Sequence, residues 1–169
     1  GMSSAASDVY KRQVLNNMLS VFHLEKLYIP PQLDENQGLY GNQILCERDV
    51  LHALNLTNPA DSHLLDMGCG RGRIAYHFAT ETGGKVSGYN IDADQLESAI
   101  SWAQECGMSE QLHYQVGNHH ETLGYESEIF DGCYSFQAVW PFFKKSELDD
   151  HAREMYRVLK PGGRYACSE

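Results

Sequence analysis

Asp66-Met67-Gly68-Cys69-Gly70-Arg71-Gly72 sets a carboxylate just ahead of three glycines at alternate positions. Glycines so spaced permit positive φ and let a ligand lie against bare backbone. If a helix follows, its first N–H groups face the same space. Two ligands compete for such a loop. A dinucleotide prefers GxGxxG with an acid about 20 residues further on for its ribose. Here the spacing is GxGxG, and the next apolar run ends in Asn90, with Asp92 two residues beyond. A pyrophosphate needs a clear helix N-terminus. A sulfonium amino acid needs an acid near its ammonium and glycine backbone beneath it.

Other side chains offer chemistry at more distant positions. His119-His120 follows Gly117-Asn118, and an imidazole of near-neutral pKa is a good proton acceptor. Adjacent side chains rarely reach one metal, and the chain has neither HExxH nor CxxC, so no metal site is expected. Its five cysteines are odd in number and widely spaced, which argues for a reducing, cytoplasmic setting without a disulfide framework. Ser135-Phe136-Gln137-Ala138-Val139-Trp140-Pro141-Phe142-Phe143 carries an aromatic cluster at Trp140, Phe142 and Phe143. That cluster reads equally as the wall of an acceptor site or as a hydrophobic plug.

These residues must be held by strands and helices in alternation. Residues 63–67 read as a short buried strand, followed by the glycine turn and a helix over about 72–80. A second strand covers 85–89, and Leu96, Ala99, Ile100 and Ala103 mark one face of the next helix. Leu112, Tyr114 and Val116 alternate as a third strand, and 130–136 form a fourth. Leu148, Ala152, Met155, Tyr156 and Leu159 mark a helix that Pro161-Gly162-Gly163 should stop, before a fifth strand at 164–168. Upstream, Tyr10, Val14, Met18 and Val21-Phe22 suggest an amphipathic helix, 28–43 a loop, and about 42–54 a second helix. The expected organisation is a helical extension over 1–55 and an α/β core over 56–169, a doubly wound, mainly parallel sheet with helices on both faces. Ligands of such sheets sit beyond the carboxyl ends of the strands at the switch point, which selects the loops after Asp66, Tyr89, Val116 and Phe136.

Composition narrows the partners. Thirteen basic against twenty-three acidic residues give a formal charge of −10, a surface that repels phosphate backbones, so nucleic acid is not an expected partner. No apolar run approaches the roughly 20 residues of a membrane helix. The start of the chain does not read as a signal peptide.

The sequence resembles the class I methyltransferases that use S-adenosylmethionine (SAM), over Leu64-Leu65 and the glycine loop, Val86-Ser87-Gly88-Tyr89-Asn90, Phe130-Asp131-Gly132-Cys133-Tyr134-Ser135 and Tyr156-Arg157-Val158-Leu159-Lys160-Pro161-Gly162-Gly163. The resemblance implies a Rossmann-like SAM-binding fold in which Asp66, Gly68, Cys69, Gly70 and Gly72 line the methionine part of SAM. Asn90 takes the ribose position, where most of the family has an acid, with Ile91, Asp92 and Gln95 beside it. Gly117, Asn118 and His119 match the adenine segment, and Ser135 and Gln137 flank the cofactor from the fourth strand.

The finer resemblance is to the sterol C-methyltransferase branch, through Tyr40-Gly41, Gly88-Tyr89-Asn90 with Gln95, and Leu159 to Tyr165 followed by Glu169. Small-amine N-methyltransferases of the glycine, sarcosine and phosphoethanolamine kind share much of the pattern, and a SAM-binding module without turnover is a third reading. Carbon methylation of a sterol or other isoprenoid needs an apolar cavity, aromatic faces toward a cation and a weak base. Trp140 would supply the face, His119, His120 and Glu169 the proton-accepting or cation-steadying groups. The acceptor is thus a small molecule or lipid. The family fold has seven strands where this sequence supplies five, so a homodimer or a peripheral membrane contact are the ways expected to cover the last edge.

Overall fold

The structure is a computed structural model, and it describes residues 28–138 and 144–168. The expected N-terminal helix over Tyr10 to Phe22, the aromatic residues Trp140, Phe142 and Phe143, and Glu169 lie outside the described residues. The chain divides into two compact units, one up to Cys46 and one from Glu47 onward.

In the first unit, residues 28–38 form a loop tied by the Asn42 side chain. Its Oδ1 accepts from the Leu33 and Asp34 amides at 2.7 and 2.9 Å, and its Nδ2 donates to the Asp34 and Gln37 carbonyls, each at 3.0 Å. Tyr28 and Gln43 exchange a reciprocal pair of side chain–backbone bonds. Helix α1, Leu39–Leu54, begins in this unit and continues from Glu47 into the second; it starts three residues earlier than its apolar spacing suggests, because the Asn42 bonds organise its first turn.

The second unit is built on β1 (His63–Met67), α2 (Arg73–Thr82), β2 (Lys85–Asn90), α3 (Ala93–Glu105), β3 (Leu112–Val116), β4 (Phe130–Phe136), α4 (Leu148–Val158) and β5 (Leu159–Ser168). The five strands form one sheet in the order β3-β2-β1-β4-β5, with every pairing parallel. Strand order reverses between β1 and β4, so the switch point lies beyond Met67 and Phe136.

Successive strand residues point to opposite faces, and both faces are covered. On one, the Phe78 ring of α2 packs against Tyr134 of β4 at 4.4 Å between centroids, and Tyr76 meets Trp102 of α3 at 4.7 Å. On the other, Leu65, Met67, Tyr89 and Cys133 pack with Leu123, Phe130 and with Met155 and Val158 of α4. α2 follows its sequence pattern, burying Ala75, Phe78 and Ala79 at i, i+3 and i+4. α3 is capped by Asp92, whose Oδ1 accepts from the Asp94 and Gln95 amides at 3.1 and 3.2 Å.

One expectation fails. Pro161-Gly162-Gly163 does not stop the last helix ahead of a separate strand. α4 ends at Val158, and β5 begins directly at Leu159. Phe130 pairs with Leu159 and Gly132 with Arg164, so the Pro-Gly-Gly segment is absorbed as a bulge in the β4–β5 ladder. Among the described residues, no helix is long and apolar enough to cross a membrane.

Candidate functional site

The glycine loop leaves β1 at the switch point and turns tightly before α2. The Gly68 amide donates to the Tyr89 carbonyl at 2.7 Å, and the Gly72 amide to the Cys69 carbonyl at 3.0 Å. Gly68 and Gly72 have φ of +78° and +81°, in the left-handed region that side chains disfavour. Space is as restrictive as conformation: a Cβ on Gly68 would collide with the Ala138 side chain, and one on Gly72 with the Tyr114 hydroxyl. The two loops that flank the switch point, from β1 and β4, thus touch at Gly68 and Ala138.

Three buried polar atoms without hydrogen-bond partners belong to this region: Asp66 Oδ2, the Tyr134 hydroxyl and the Tyr114 hydroxyl. They come from β1, β4 and β3, and register places Asp66 beside Tyr134 on one side and Gly88 on the other, with Gly88 in turn beside Tyr114. Burial pushes the Asp66 carboxyl up to about 8, with the Glu47 carboxylate adding to the rise and Tyr134 and Arg73 opposing it. Unsatisfied buried groups are rare in folded proteins and call for a ligand or water. Burial also pushes the Cys69 thiol far above its ordinary range, so Cys69 packs rather than reacts.

Beneath the loop, Glu47 of α1 is fully buried and holds two side chains of α2. Its Oε2 accepts from Arg73 Nη1 at 3.2 Å and its Oε1 from Arg73 Nη2, while His77 Nδ1 lies 2.6 Å from Oε2. Glu47, Arg73, Tyr114 and Tyr134 are site residues that the sequence does not announce. Only Tyr134 stands inside a recognisable motif.

At the end of β2, Asn90 is buried and its Nδ2 donates to Gln95 Oε1 at 3.0 Å. Ile91 is half-buried in the turn between Asn90 and the Asp92 cap. Asp92 is committed to α3 through its cap bonds, which leaves Asn90 and Gln95 as the polar pair at this strand end. After β3, the Gly117 amide donates to the Asn90 carbonyl at 2.9 Å, and a Cβ on Gly117 would strike the Tyr89 hydroxyl. The Asn118 side chain is turned into its own loop: Oδ1 accepts from the His120 amide at 3.1 Å and Nδ2 donates to Glu121 at 3.2 Å.

The two histidines belong to a different recess. His119 and His120, with rings 5.0 Å apart, line a cleft of about 480 Å³ together with Glu147, His151, Glu154 and Arg157. None of the glycine-loop residues lines that cleft. Burial and the neighbouring His120 lower the His151 pKa, against an opposing pull from Glu154. Ser135 faces away from Asp66, and its Oγ bonds the Tyr165 hydroxyl at 2.9 Å. Gln137 is exposed, with φ of +45°, and its amide donates to the Ser168 carbonyl at 2.8 Å. The structure therefore gathers Asp66, Gly68, Cys69, Gly70 and Gly72 in one loop, with Asn90, Ile91, Gln95 and Gly117 at the adjoining strand ends. His119 and His120 line the second cleft, and Ser135 bonds Tyr165.

A parallel doubly wound sheet with a glycine loop and a buried acid at its switch point defines a Rossmann-like ligand-binding domain. Residues 64–163, more than half the chain, match the family described as "Methyltransferase domain", and the chain belongs to that family. It is 30% identical over 138 residues to the methyltransferase phqN of Penicillium fellutanum, covering 82% of this chain and 40% of that protein. To the sterol 24-C-methyltransferase of Pneumocystis carinii it is 33% identical over 106 residues, covering 63% and 27%. Among solved structures, geranyl diphosphate methyltransferase in complex with geranyl diphosphate and sinefungin superposes with a TM-score of 0.68 at 26% identity, covering 76% of this chain and 45% of that one. The chain spans less than half the length of each of these proteins.

Proposed function

We propose that this chain forms the SAM-binding part of a methyltransferase that acts on a carbon of a sterol or other isoprenoid. The observation that carries the cofactor reading is the buried Asp66 carboxyl, whose Oδ2 has no hydrogen-bond partner, beside two glycines, Gly68 and Gly72, that tolerate no Cβ. SAM fits this set, since its ammonium supplies the charge that Asp66 lacks and its chain can run along bare backbone. When bound, SAM supplies an electrophilic methyl group on a sulfonium. The chain's own part is to bind and align: Asp66 and the loop glycines hold the amino-acid end, and Asn90 with Gln95 offers the ribose hydroxyls an uncharged acceptor and donor pair.

The isoprenoid reading draws on the sterol 24-C-methyltransferases and the geranyl diphosphate methyltransferase among the similar proteins. The aromatic run at Trp140, Phe142 and Phe143 is proposed as the acceptor wall, and Glu169 as a group that steadies the developing cation. A second reading, methylation of a small amine, draws on the cleft of His119, His120 and His151, whose carboxylates Glu147 and Glu154 suit a cationic acceptor. Labelled-methyl transfer measured side by side on sterols, prenyl diphosphates and small amines separates them. Transfer to sterols or prenyl diphosphates supports the first reading. Transfer to amines alone replaces it with the second, and transfer to none of them overturns both.

A further inference from the structure

Asp66 is buried in a site where Arg73, the described cation that acts on it, is otherwise engaged. Arg73 stands at the first position of α2, close enough to lower the Asp66 pKa, yet both of its terminal nitrogens bond Glu47. His77, one turn further along, closes on the same carboxylate and also lies 3.6 Å from Glu81. Among the described residues no cation bonds Asp66, while Tyr134, Tyr114 and Cys69 surround it with neutral groups. Glu47 itself has no exposed side-chain surface and sits in a helix 19 positions before Asp66, so solvent does not explain its charge.

Resting on the SAM reading above, we propose that Glu47 is a positioning residue: by clamping Arg73 and His77 it keeps Asp66 free of a protein cation, so that only a ligand bringing its own ammonium completes the site. Two consequences follow. The site selects ligands by their ammonium, since a buried carboxyl gains most from the charge that accompanies the ligand. Binding also expels a proton, because Asp66, neutral in the free protein at neutral pH, must ionise to meet the ammonium: the carboxyl O–H breaks, its proton leaves to buffer, and the carboxylate pairs with the ammonium.

The groups facing Asp66 are Tyr134 from β4, Tyr114 from β3, Cys69 from the loop, Glu47 from α1 and Arg73 from α2. With a carboxyl titrating near 8, apparent affinity for an ammonium ligand rises roughly 50-fold between pH 6 and pH 8, following the ionised fraction. A ligand that lacks the ammonium shows no such rise.

The test is titration calorimetry on this chain with S-adenosylhomocysteine and with 5′-methylthioadenosine, which keeps the nucleoside but has no amino-acid end. S-adenosylhomocysteine is expected to bind more tightly as pH rises from 6 to 8, releasing about one proton at pH 7 when two buffers of different ionisation enthalpy are compared. 5′-Methylthioadenosine should bind without pH dependence. Glu47→Gln removes the carboxylate that both Arg73 terminal nitrogens bond, and should weaken S-adenosylhomocysteine about tenfold at pH 8 and flatten its pH profile. Glu47→Gln combined with Arg73→Gln should restore both, which a merely structural role for Glu47 would not do. If Glu47→Gln does not fold, Asp66→Asn carries the test, and S-adenosylhomocysteine binding should then become independent of pH. PH-independent binding of S-adenosylhomocysteine to the unaltered chain, or unchanged profiles in Glu47→Gln, overturns this proposal while leaving the SAM reading intact. Binding of neither ligand overturns the SAM reading, and the proposal with it.

Discussion

Asp66 and Tyr134 lie side by side across the β1–β4 ladder, both fully or nearly fully buried, and neither Asp66 Oδ2 nor the Tyr134 hydroxyl has a hydrogen-bond partner. The pair sits where the sheet's strand order reverses, flanked by glycines that admit no side chain. Two unsatisfied polar groups at such a place are costly in the free protein and become useful only when something polar arrives. The same pair sets how the free protein responds to pH.

Asp66 is more readily protonated in the folded chain than in the unfolded one. Its stabilising neutral form is fully favourable below the ordinary carboxylate range near 4, and that contribution is lost as pH rises toward the folded value of about 8. Asp66→Asn keeps the shape and removes the titration. The ligand-free variant should therefore gain stability over the unaltered chain by on the order of 1 kcal/mol per pH unit between about pH 4 and 8, and by nothing more above that. Urea denaturation at several pH values measures this, and parallel profiles for the two proteins would falsify it.

Gly72→Ala should cost roughly 1–2 kcal/mol for the left-handed conformation alone, with a further cost for the collision with the Tyr114 hydroxyl. Tyr114→Phe removes that oxygen and an unsatisfied buried hydroxyl together. The double variant should thus be more stable than Gly72→Ala, by a coupling that thermal denaturation of all four proteins reads as a double-mutant cycle. Strict additivity would show that the tyrosine does not limit the loop.

Asn90→Ala removes the polar partner of Gln95 at the end of β2. If this pair holds the ribose, S-adenosylhomocysteine and 5′-methylthioadenosine should weaken by a similar factor, about tenfold, since both carry the ribose hydroxyls. Loss confined to S-adenosylhomocysteine would assign Asn90 to the amino-acid end instead.

Arg157 fastens the loop between β3 and β4. Its Nη1 donates to the Tyr125 carbonyl at 2.8 Å and its Nη2 to the Leu123 carbonyl at 3.2 Å and to Glu154 at 2.6 Å. Glu154 in turn accepts from the Leu123 amide at 2.7 Å. Arg157→Leu strands these carbonyls and should destabilise the fold by roughly 1–3 kcal/mol. Lysine, with one ammonium instead of a planar fork, should recover less than half of that loss. Hydrogen exchange should show faster opening of residues 117–129 in both variants, and unchanged protection there would mean the loop is held by its apolar contacts alone.

Much of this protein is legible from local patterns. The glycine loop, the alternation of strands and helices and the bounds of β3 and β4 all follow from neighbours within a few positions, where backbone conformation and periodicity act directly. The parallel sheet follows too, because short loops and alternating elements leave few other arrangements. What the tertiary structure decided is non-local. Glu47 meets Arg73 and His77 across 26 and 30 residues, and Asp66 meets Tyr134 across a ladder between strands that are distant in sequence. Nothing in the composition of α1 marks Glu47 as buried, and the apolar run of β4 gives no hint that Tyr134 lacks a partner. The Pro-Gly-Gly segment, a helix stop by its residues, becomes a bulge because Leu159 and Arg164 on either side of it both pair with β4. His119 and His120, adjacent to the expected adenine segment in sequence, are carried by the loop's path into another cleft. Residue type determines what each group can do, but the unpaired state of Asp66 depends on charges and hydroxyls that only the folded chain brings within reach.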